Sequence, residues 1–402
     1  MKAVVQQVGA RMDYAVPRTL FNSNLLGALV TDLYFSSPMR MSSLSRYSGG
    51  IPLSHVSRDN CRGIAYRALL TQTRFRAWPH LQMAENIAGR TLEAVRTTGA
   101  GLVYGFDTAM LPSIDRLSSE GTKIVMEQCI APRAQFIRAM LHLEGKLSDL
   151  GFDAGETGLG ETLAYAAILS GLEQEEWKRV DRIYCPSPFV AKALEFEGVP
   201  NGKIRILPYG VSLENRSIVK RTQTNEVPKV VFGGSFSWRK GALEFGSMAS
   251  ALRGRAIFEA CGKAALDPKI INKVAPNVIQ RGHLSRNAFL NVLSRADIFV
   301  LPSYSEGSAT VIYEAMALGV PCVVSAECGS VITHGEDGII VPASDETKLT
   351  EAVDLLLTDI EMRHEMGAKA KLAAQNYTRE SYGTRVLEAL QNDFAASLKR
   401  ND

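Results

Sequence analysis

Residues 298–327, IFVLPSYSEGSATVIYEAMALGVPCVVSAE, hold the pattern that decides the fold. Two apolar runs rich in β-branched residues, IFVL and CVV, flank a polar loop and a segment with helical spacing. A strand, a loop, a helix and a second strand in this order predict a parallel α/β unit. The loop places Glu306 just before the helix, and Glu314 lies eight residues further on, inside it.

Strand-like and helix-like segments alternate along the rest of the chain as well. The strand-like runs are KAVVQQV, GLVYGF, TKIVM, DRIYCPS and KIRILPYG in the first half, and KVVFGGS, AIFEACG, NVIQRGHL, ADIFVLPS, PCVVSAE and GIIVPAS in the second. An irregular polar stretch at residues 208–226 separates the two series. We therefore predict an α/β protein with two Rossmann-like domains that face a central cleft, each built on a doubly wound parallel sheet.

The first domain is expected to span residues 1–208 and the second residues 209–380. Residues 381–402 repeat large apolar side chains every four or eight positions, which predicts an amphipathic helix that could cross back to the first domain. At 402 residues the chain is long enough for each domain to bury its own core.

Composition excludes several classes of protein. The longest apolar runs are far shorter than the roughly 18–20 residues of a membrane-spanning helix, and the first residues lack the apolar region of a signal peptide. The six cysteines are scattered without C-x-x-C spacing, so we expect reduced thiols rather than a zinc site. These features favour a cytoplasmic protein.

Positive charge is concentrated at the start of the chain. Residues 1–100 contain 12 Lys and Arg against 5 Asp and Glu, and eleven of the twelve are arginine. Arginine suits recognition of phosphate or of an anionic surface, such as the inner face of a membrane to which the protein binds peripherally. The alternative is a merely solvated face. No nucleic-acid-binding motif accompanies these arginines, so nucleic acid is not an expected partner.

The loop SYSEGSAT should bind a ligand, because open parallel sheets bind ligands beyond the carboxyl ends of their strands. Gly307 permits close backbone approach, and the free N–H groups at the helix start near Ser308 would suit a phosphate. Glu306 could then accept hydrogen bonds from one set of sugar hydroxyls and Glu314 from another, so the ligand would contain two sugars joined by a diphosphate. The alternatives are compensation of the helix dipole for Glu306 and an ordinary exposed helical residue for Glu314.

The same residues, continuing to DGIIVPASD, resemble the donor-binding region of the GT-B nucleotide-sugar glycosyltransferases. The resemblance is to the large retaining group with a Glu-x7-Glu motif, the group 1 or family 4-like glycosyltransferases. It extends to FGGSFSWRKGALEF and to VDRIYCPSPFVAKALEFEGVPNGKIRILPYGVS, and covers roughly residues 175–385. It implies a GT-B fold with the nucleotide-sugar donor held mainly by the second domain.

The resemblance also implies roles for individual residues. Glu314 would bind the ribose hydroxyls, Glu306 would lie beside the transferred sugar, and Lys240 would bind the diphosphate. The backbone amides near sugar and phosphate would belong to Gly307, Ser308, Ala309 and Thr310. Ser235 stands where the family usually has an arginine, with Arg239 as the substitute, and His283 lies where the family contacts the base.

The first domain offers fewer signals. Gly9 follows the first strand and could let a substrate approach the backbone, with Arg11 and Tyr14 nearby to face an acceptor or a phosphate; a plain tight turn is the alternative. Glu127, in MEQCIAP, is the stand-in for a sugar-contacting histidine that is frequent in the family. The chain has no G-x-G-x-x-G after the first strand and no D-x-D, so neither a dinucleotide nor a metal ion is expected.

We therefore predict a retaining, metal-independent glycosyltransferase without a cofactor. Its donor would be a UDP- or GDP-linked sugar, and its acceptor a glycan, a lipid-linked glycan or a small molecule, as in polysaccharide biosynthesis. Lys240, Arg239 and the helix amides would stabilise the leaving diphosphate, with Glu306 as the third catalytic residue. Two alternatives remain open: a nucleotide-sugar epimerase of the same fold, and a non-catalytic nucleotide-sugar-binding subunit.

Overall fold

The computed structural model describes residues 2–35, 49–70, 77–212 and 227–398. Most of the predicted irregular stretch between the domains lies outside these ranges, at residues 213–226. So do four of the eleven early arginines: Arg40, Arg46, Arg74 and Arg76. Within the described ranges, no helix is both long enough and apolar enough to cross a membrane.

The N-terminal domain is a seven-stranded parallel sheet with the order β3-β2-β1-β4-β5-β6-β7. Its strands are β1 Ala3–Gln7, β2 Leu26–Thr31, β3 Val56–Arg58, β4 Leu102–Phe106, β5 Lys123–Glu127, β6 Arg182–Cys185 and β7 Ile204–Ile206. Its helices are α1 Ala15–Asn22, α2 Asn60–Leu70, α3 Ala77–Thr98, α4 Leu111–Leu117, α5 Arg133–Asp149, α6 Ala154–Thr157, α7 Leu159–Arg179 and α8 Pro188–Phe196.

The C-terminal domain is a six-stranded parallel sheet with the order β10-β9-β8-β11-β12-β13. Its strands are β8 Lys229–Gly233, β9 Ile257–Cys261, β10 Val278–Gly282, β11 Ile298–Leu301, β12 Cys322–Ser325 and β13 Gly338–Val341. The helices that follow are α9 Ala242–Ala251, α10 Pro268–Val274, α11 Arg286–Leu293, α12 Thr310–Ala317, α13 Glu346–Thr358, α14 Ile360–Ala374 and α15 Arg379–Leu398. The predicted fold of two doubly wound parallel sheets is confirmed.

Strand β11 is central because its residues are buried on both faces of the sheet. All four residues of IFVL are fully buried, and the strand pairs with β8 on one side and β12 on the other. Parallel sheets covered by helices on both faces need such continuous apolar strands. The stretch that decides the fold therefore forms the middle of the second core.

Two strands of the first sheet, β2 and β3, were not predicted from the sequence. Strand β2, LGALVT, follows α1 after a short turn in which Asn24 adopts a positive φ of 56°. The turn contains neither Pro nor Gly, so nothing in the sequence separated the strand from the helix-like segment before it. Strand β3 has only three residues, which is too short to give a pattern.

Helix α15 lies on the N-terminal domain, although it follows the C-terminal sheet in the chain. Its buried residues Tyr382, Val386 and Leu390 belong to the same hydrophobic cluster as Val5 of β1 and Leu20 of α1. The amphipathic spacing read from the sequence thus matches a face that packs onto the first domain.

Helices α5 and α7 belong to the N-terminal domain but pack against the C-terminal domain. Met140, Leu143 and Leu147 of α5 are fully buried in the hydrophobic cluster of the C-terminal domain. Near them the ammonium group of Lys146 lies 3.1 Å from Glu244 and 2.6 Å from Glu346, both in the C-terminal domain. The α5–α7 hairpin, residues 133–179, therefore packs between the two sheets.

A buried carboxylate links the return helix to the first sheet. Glu127, at the end of β5, accepts hydrogen bonds from the hydroxyls of Tyr104, of Tyr209 at 2.7 Å and of Tyr382 at 2.7 Å. Tyr209 follows β7 on the way to the second domain, and Tyr382 lies on α15 after the chain has returned. Burial raises the pKa of Glu127, while the three hydroxyl donors oppose this rise.

We predict that Tyr382→Phe destabilises the protein by about 1–3 kcal/mol, because it removes a hydrogen bond to a buried carboxyl group. The measurement is the urea concentration at the unfolding midpoint. Tyr377→Phe is the matched control, since within the described ranges no hydrogen bond of the Tyr377 hydroxyl occurs. Equal midpoints for the two variants would contradict a stabilising role for the Glu127 cluster.

Candidate functional site

The carboxyl end of β11 leads through the loop 302–309 into α12. The N-cap residue of α12 is Ala309, which gives no side-chain acceptor to the N–H groups of the first turn. Ser308 is buried, and its hydroxyl lies 2.7 Å from the hydroxyl of Tyr313, so it is satisfied within the protein. Thr310, the first helical residue, is exposed. The helix start can therefore bind an anion through its first backbone N–H groups. The N–H of Ala309, which was predicted to be one of them, instead donates to the carbonyl of Cys328 at 3.1 Å.

Glu306 sits between two cations from the loop after β8. One carboxylate oxygen, Oε1, lies 2.5 Å from Arg239 Nη1 and 2.9 Å from Lys240 Nζ. Burial alone would raise the pKa of Glu306, but Lys240 and Arg239 outweigh burial and hold it below its ordinary value. Glu306 is therefore ionised at neutral pH, and the three charged groups form a compact cluster.

Glu314 occupies a different environment, one helix turn inside α12. It is 8% exposed, and its Oε1 lies 2.7 Å from Nη2 of Arg286, the first residue of α11. Burial raises the pKa of Glu314, and Arg286 only partly offsets this rise. Arg286 was not singled out in the sequence, where it appears only as one basic residue at the start of a helix.

Gly307 brings the two domains into contact. A Cβ atom added at this position would overlap the backbone carbonyl oxygen of Cys129, which follows β5 in the N-terminal domain. The carbonyl of Gly307 also accepts a 2.6 Å hydrogen bond from Ser187 of the same domain. The absence of a side chain at Gly307 is therefore required by the protein's own backbone, and the predicted contact of Gly307 with the donor stays a prediction.

Lys240 reaches Glu306 by crossing the loop that follows β8. Its side chain passes over Gly234, where an added Cβ would lie 3.1 Å from the ammonium nitrogen. Ser235, next in that loop, and His283, after β10, are both exposed. Their expected contacts with the donor stay predictions.

The N-terminal domain has its own cavity, of about 200 Å³, at the carboxyl ends of β1 and β4. The strand order reverses between these two strands, which is where doubly wound sheets bind ligands. Arg11 lies over the ring of Phe106, and its Nε is buried without a hydrogen-bond partner among the described residues. The same holds for Oε1 of Gln7, which is 1% exposed. The cavity thus presents an unused donor and an unused acceptor.

Gly9 also lines this cavity, with a positive φ of 80°. Its N–H donates to Asp32 Oδ1 at 2.8 Å, and Asp32 pairs with Arg67. Residues 227–359, in the C-terminal domain, match the protein family described as glycosyl transferases group 1.

Most of the C-terminal domain is thus similar to the group 1 glycosyltransferases.

A sequence relative agrees with this assignment, although the match is partial. The chain is 29% identical over 188 residues to the N,N'-diacetylbacillosaminyl-diphospho-undecaprenol alpha-1,3-N-acetylgalactosaminyltransferase of Campylobacter jejuni. The match covers 46% of this chain and 50% of the relative, so it spans about half the length of that protein. The resemblance stated from the sequence is confirmed.

Solved structures share the fold over nearly the whole chain. Sucrose-phosphate synthase from Thermosynechococcus elongatus superposes with a TM-score of 0.65 at 16% identity, covering 98% of this chain and 100% of that one. HepE from Anabaena, solved in complex with UDP, gives a TM-score of 0.63 at 13% identity, with coverage of 98% and 100%. At such identities the likeness supports the GT-B fold alone.

Two predicted site residues of the N-terminal domain are not where the sequence placed them. Tyr14 was expected to face an acceptor, but it is fully buried and its hydroxyl donates to the carbonyl of Leu33 at 2.8 Å. Glu127 was expected to replace a sugar-contacting histidine, but it is 2% exposed and its oxygens accept the tyrosine hydroxyls described above. Both residues are structural, because their polar atoms are satisfied inside the protein.

Three of the early arginines in the described ranges bond to other parts of the N-terminal domain. Arg58 donates to the carbonyl of Tyr34 at 2.7 Å, Arg67 to Asp32 at 2.6 Å and Arg90 to the carbonyl of Thr31 at 2.6 Å. These three arginines therefore hold loops of the N-terminal domain in place. They lend no support to the hypothesis of one face that binds an anionic membrane.

Gly307→Ala should destabilise the protein by about 1–3 kcal/mol, because the added methyl group overlaps backbone of the other domain. The measurement is again the urea midpoint. Gly89→Ala is the control: Gly89 is exposed in α3 with open space around it, so its replacement should stabilise by about 0.5–1 kcal/mol. A Gly307→Ala protein that unfolds at the wild-type midpoint would contradict the close contact with Cys129.

Proposed function

We propose that the protein is a retaining glycosyltransferase that moves a sugar from a nucleoside diphosphate-sugar to a glycan, lipid-linked or small-molecule acceptor. The observation that carries this proposal is the cluster of Glu306, Lys240 and Arg239 beside the backbone amides of α12, with Glu314 further along the same helix. This arrangement matches the parts of such a donor: a diphosphate, a transferred sugar and a ribose.

The diphosphate would bind between the two cations and the start of α12. Lys240 and Arg239 both contact the same oxygen of Glu306, Oε1. Phosphate oxygens would share these cations, as charge-assisted hydrogen bonds to phosphate favour. The second oxygen of Glu306 makes no hydrogen bond within the described part of the chain, so it is the acceptor for a hydroxyl of the transferred sugar.

Glu314 would bind the ribose in a similar way. Arg286 occupies Oε1, while Oε2 forms no hydrogen bond to any described residue. A carboxylate oxygen at the edge of a buried site is a strong acceptor for vicinal hydroxyls. Arg286, with 47% of its side chain exposed, would hold the carboxylate in position.

The reaction breaks the bond between the anomeric carbon and the diphosphate oxygen, and the acceptor oxygen forms the new bond to that carbon. The proton of the acceptor hydroxyl passes to the departing diphosphate. Negative charge builds on the leaving oxygen, and positive charge develops on the sugar. Lys240, Arg239 and the backbone N–H groups of Ser308 and Thr310 would stabilise the negative charge, and ionised Glu306 would stabilise the positive charge. In the described residues, no cluster of three or more His, Cys, Asp or Glu side chains suits a metal ion. We propose that Lys240 and Arg239 supply the positive charge at the diphosphate.

The acceptor would bind in the N-terminal domain, at the cavity beyond β1 and β4. The buried Nε of Arg11 can donate to a hydroxyl or phosphate oxygen, and Oε1 of Gln7 can accept from a hydroxyl. The relative from Campylobacter jejuni is named for a lipid-linked acceptor, which supports including that class here.

The two glutamates should differ when each is replaced by alanine. Glu314→Ala should weaken binding of the donor and of the free nucleoside diphosphate alike, by about 1.5–3 kcal/mol, because the ribose contact is common to both. Glu306→Ala should leave nucleoside diphosphate affinity nearly unchanged and lower kcat, because its contact matters most as charge develops on the sugar. The measurements are calorimetric titration with UDP and GDP, and turnover of the donor.

Glu336→Ala is the control for both variants, since Glu336 is an exposed residue of the same domain. Equal losses of nucleotide affinity at residues 306 and 314 would contradict the proposed roles. Conversion of the donor without any acceptor would favour the epimerase, and tight donor binding without turnover would favour the binding subunit.

Removal of divalent metal should leave transfer intact, because Lys240 and Arg239 supply the positive charge at the diphosphate. Donor turnover is measured with excess EDTA and again after added magnesium or manganese. Complete loss of turnover that the metal restores would refute the metal-independent mechanism.

A further inference from the structure

A second cavity, of about 500 Å³, lies between the domains and reaches Glu306 and Arg239. Its N-terminal walls come from the α5–α7 hairpin and the loop before it, and its C-terminal walls come from the loops after β8, β9 and β11. Ligand pockets for molecules of moderate size have volumes of roughly 300–1,000 Å³. No role has been assigned to this cavity so far.

The walls of this interdomain cavity are mainly apolar. They include Phe136, Met140, Leu159 and Leu169 from the hairpin and Trp238 and Leu266 from the C-terminal domain. Met140, Leu159 and Trp238 are buried, so they form the floor. An apolar ligand surface would gain free energy from leaving water here.

Arg133, Arg239 and Ser305, which line the cavity, are already paired within the protein. Arg239 pairs with Glu306, and Arg133 pairs with Asp107 and Glu173. Ser305 donates to Gln135 at 2.7 Å. A sugar ring placed deep in the cavity would lose hydrogen bonds to water without replacing them, whereas an apolar group would not.

We propose that this cavity is a subsite for an apolar group carried by the acceptor. The apolar group would pack on Trp238 and the α5–α7 hairpin, and the acceptor hydroxyl would then lie beside the donor at Glu306. This inference rests on the proposed glycosyltransferase function. The apolar group is assigned to the acceptor because most of the cavity walls come from the N-terminal domain, which would bind the acceptor.

The shape and rigidity of the cavity agree with this assignment. Ile130, Thr162 and Ala265 line it and are exposed, so an apolar group longer than the cavity can continue into solvent. Trp238 is fixed by a 3.1 Å hydrogen bond from its Nε1 to the carbonyl of Thr157, and by an edge-to-face contact with Phe152 at 5.7 Å. A rigid wall loses little freedom when a ligand binds.

The test compares 4-nitrophenyl and methyl α-D-glucopyranoside as probes, which share a sugar and differ in the apolar group. We expect the wild-type protein, saturated with UDP or GDP, to bind the 4-nitrophenyl glycoside at least about tenfold more tightly in calorimetric titration. Thr162→Trp, at the exposed mouth, should abolish this preference without changing UDP or GDP affinity. Ala164→Trp is the control, because Ala164 is exposed on the same helix but does not line the cavity.

Each outcome decides the inference. Equal affinity for the two probes, no binding of the 4-nitrophenyl glycoside, or a preference that Thr162→Trp leaves unchanged would overturn it. A Thr162→Trp protein that loses affinity for UDP-N-acetylglucosamine but not for UDP would assign the cavity to the donor instead, and would also overturn it. Failure of the proposed function would appear separately, as a lack of UDP and GDP binding in the wild-type protein.

Discussion

The buried carboxyl group of Glu127 is the interaction on which the arrangement of the two domains depends. A carboxyl group removed from water is costly unless donors satisfy it, and here the donors are three tyrosine hydroxyls from distant parts of the chain. Tyr209 brings the outgoing chain to β5, and Tyr382 brings the returning helix to the same place. Two residues beyond Glu127, Cys129 abuts Gly307. The hydrogen-bonded cluster thus positions the first domain against the loop that carries Glu306.

The sequence predicted the parts of the site that depend on local pattern. Glu306, Glu314 and Lys240 follow strands whose apolar character is evident, and strand ends in parallel sheets carry ligand-binding loops. It did not predict residues whose role depends on contacts between distant segments. Tyr14 is next to a glycine turn in the sequence, yet the fold directs its hydroxyl to Leu33. Arg286 gains importance only because α11 starts beside Glu314.

The fold, like the site, was predictable where it depends on local sequence pattern and not where it depends on contacts between distant segments. A continuous apolar strand such as β11 can be recognised from the sequence. Strand β3 cannot, because it has only three residues and pairs with its neighbour β2. The α5–α7 hairpin has an ordinary amphipathic composition, and only the assembled structure reveals that Leu143 and Leu147 of its first helix join the core of the other domain. Amphipathic spacing predicts which face of a helix is buried, but it does not predict which part of the protein packs against that face.

The two motif glutamates lie in different environments, and each environment suits the role proposed for that residue. Glu306 has two cations within 3 Å, which lower its pKa, so its charge is retained despite burial. Glu314 has one half-exposed arginine, and burial raises its pKa. A charge held by two neighbouring cations suits a site where charge develops during a reaction, because it stays ionised and ordered before the substrate arrives. A carboxylate with a single partner and a second oxygen to spare suits the binding of hydroxyls that do not react. The spacing along α12 separates these two environments while one helix holds both at the same edge of the sheet.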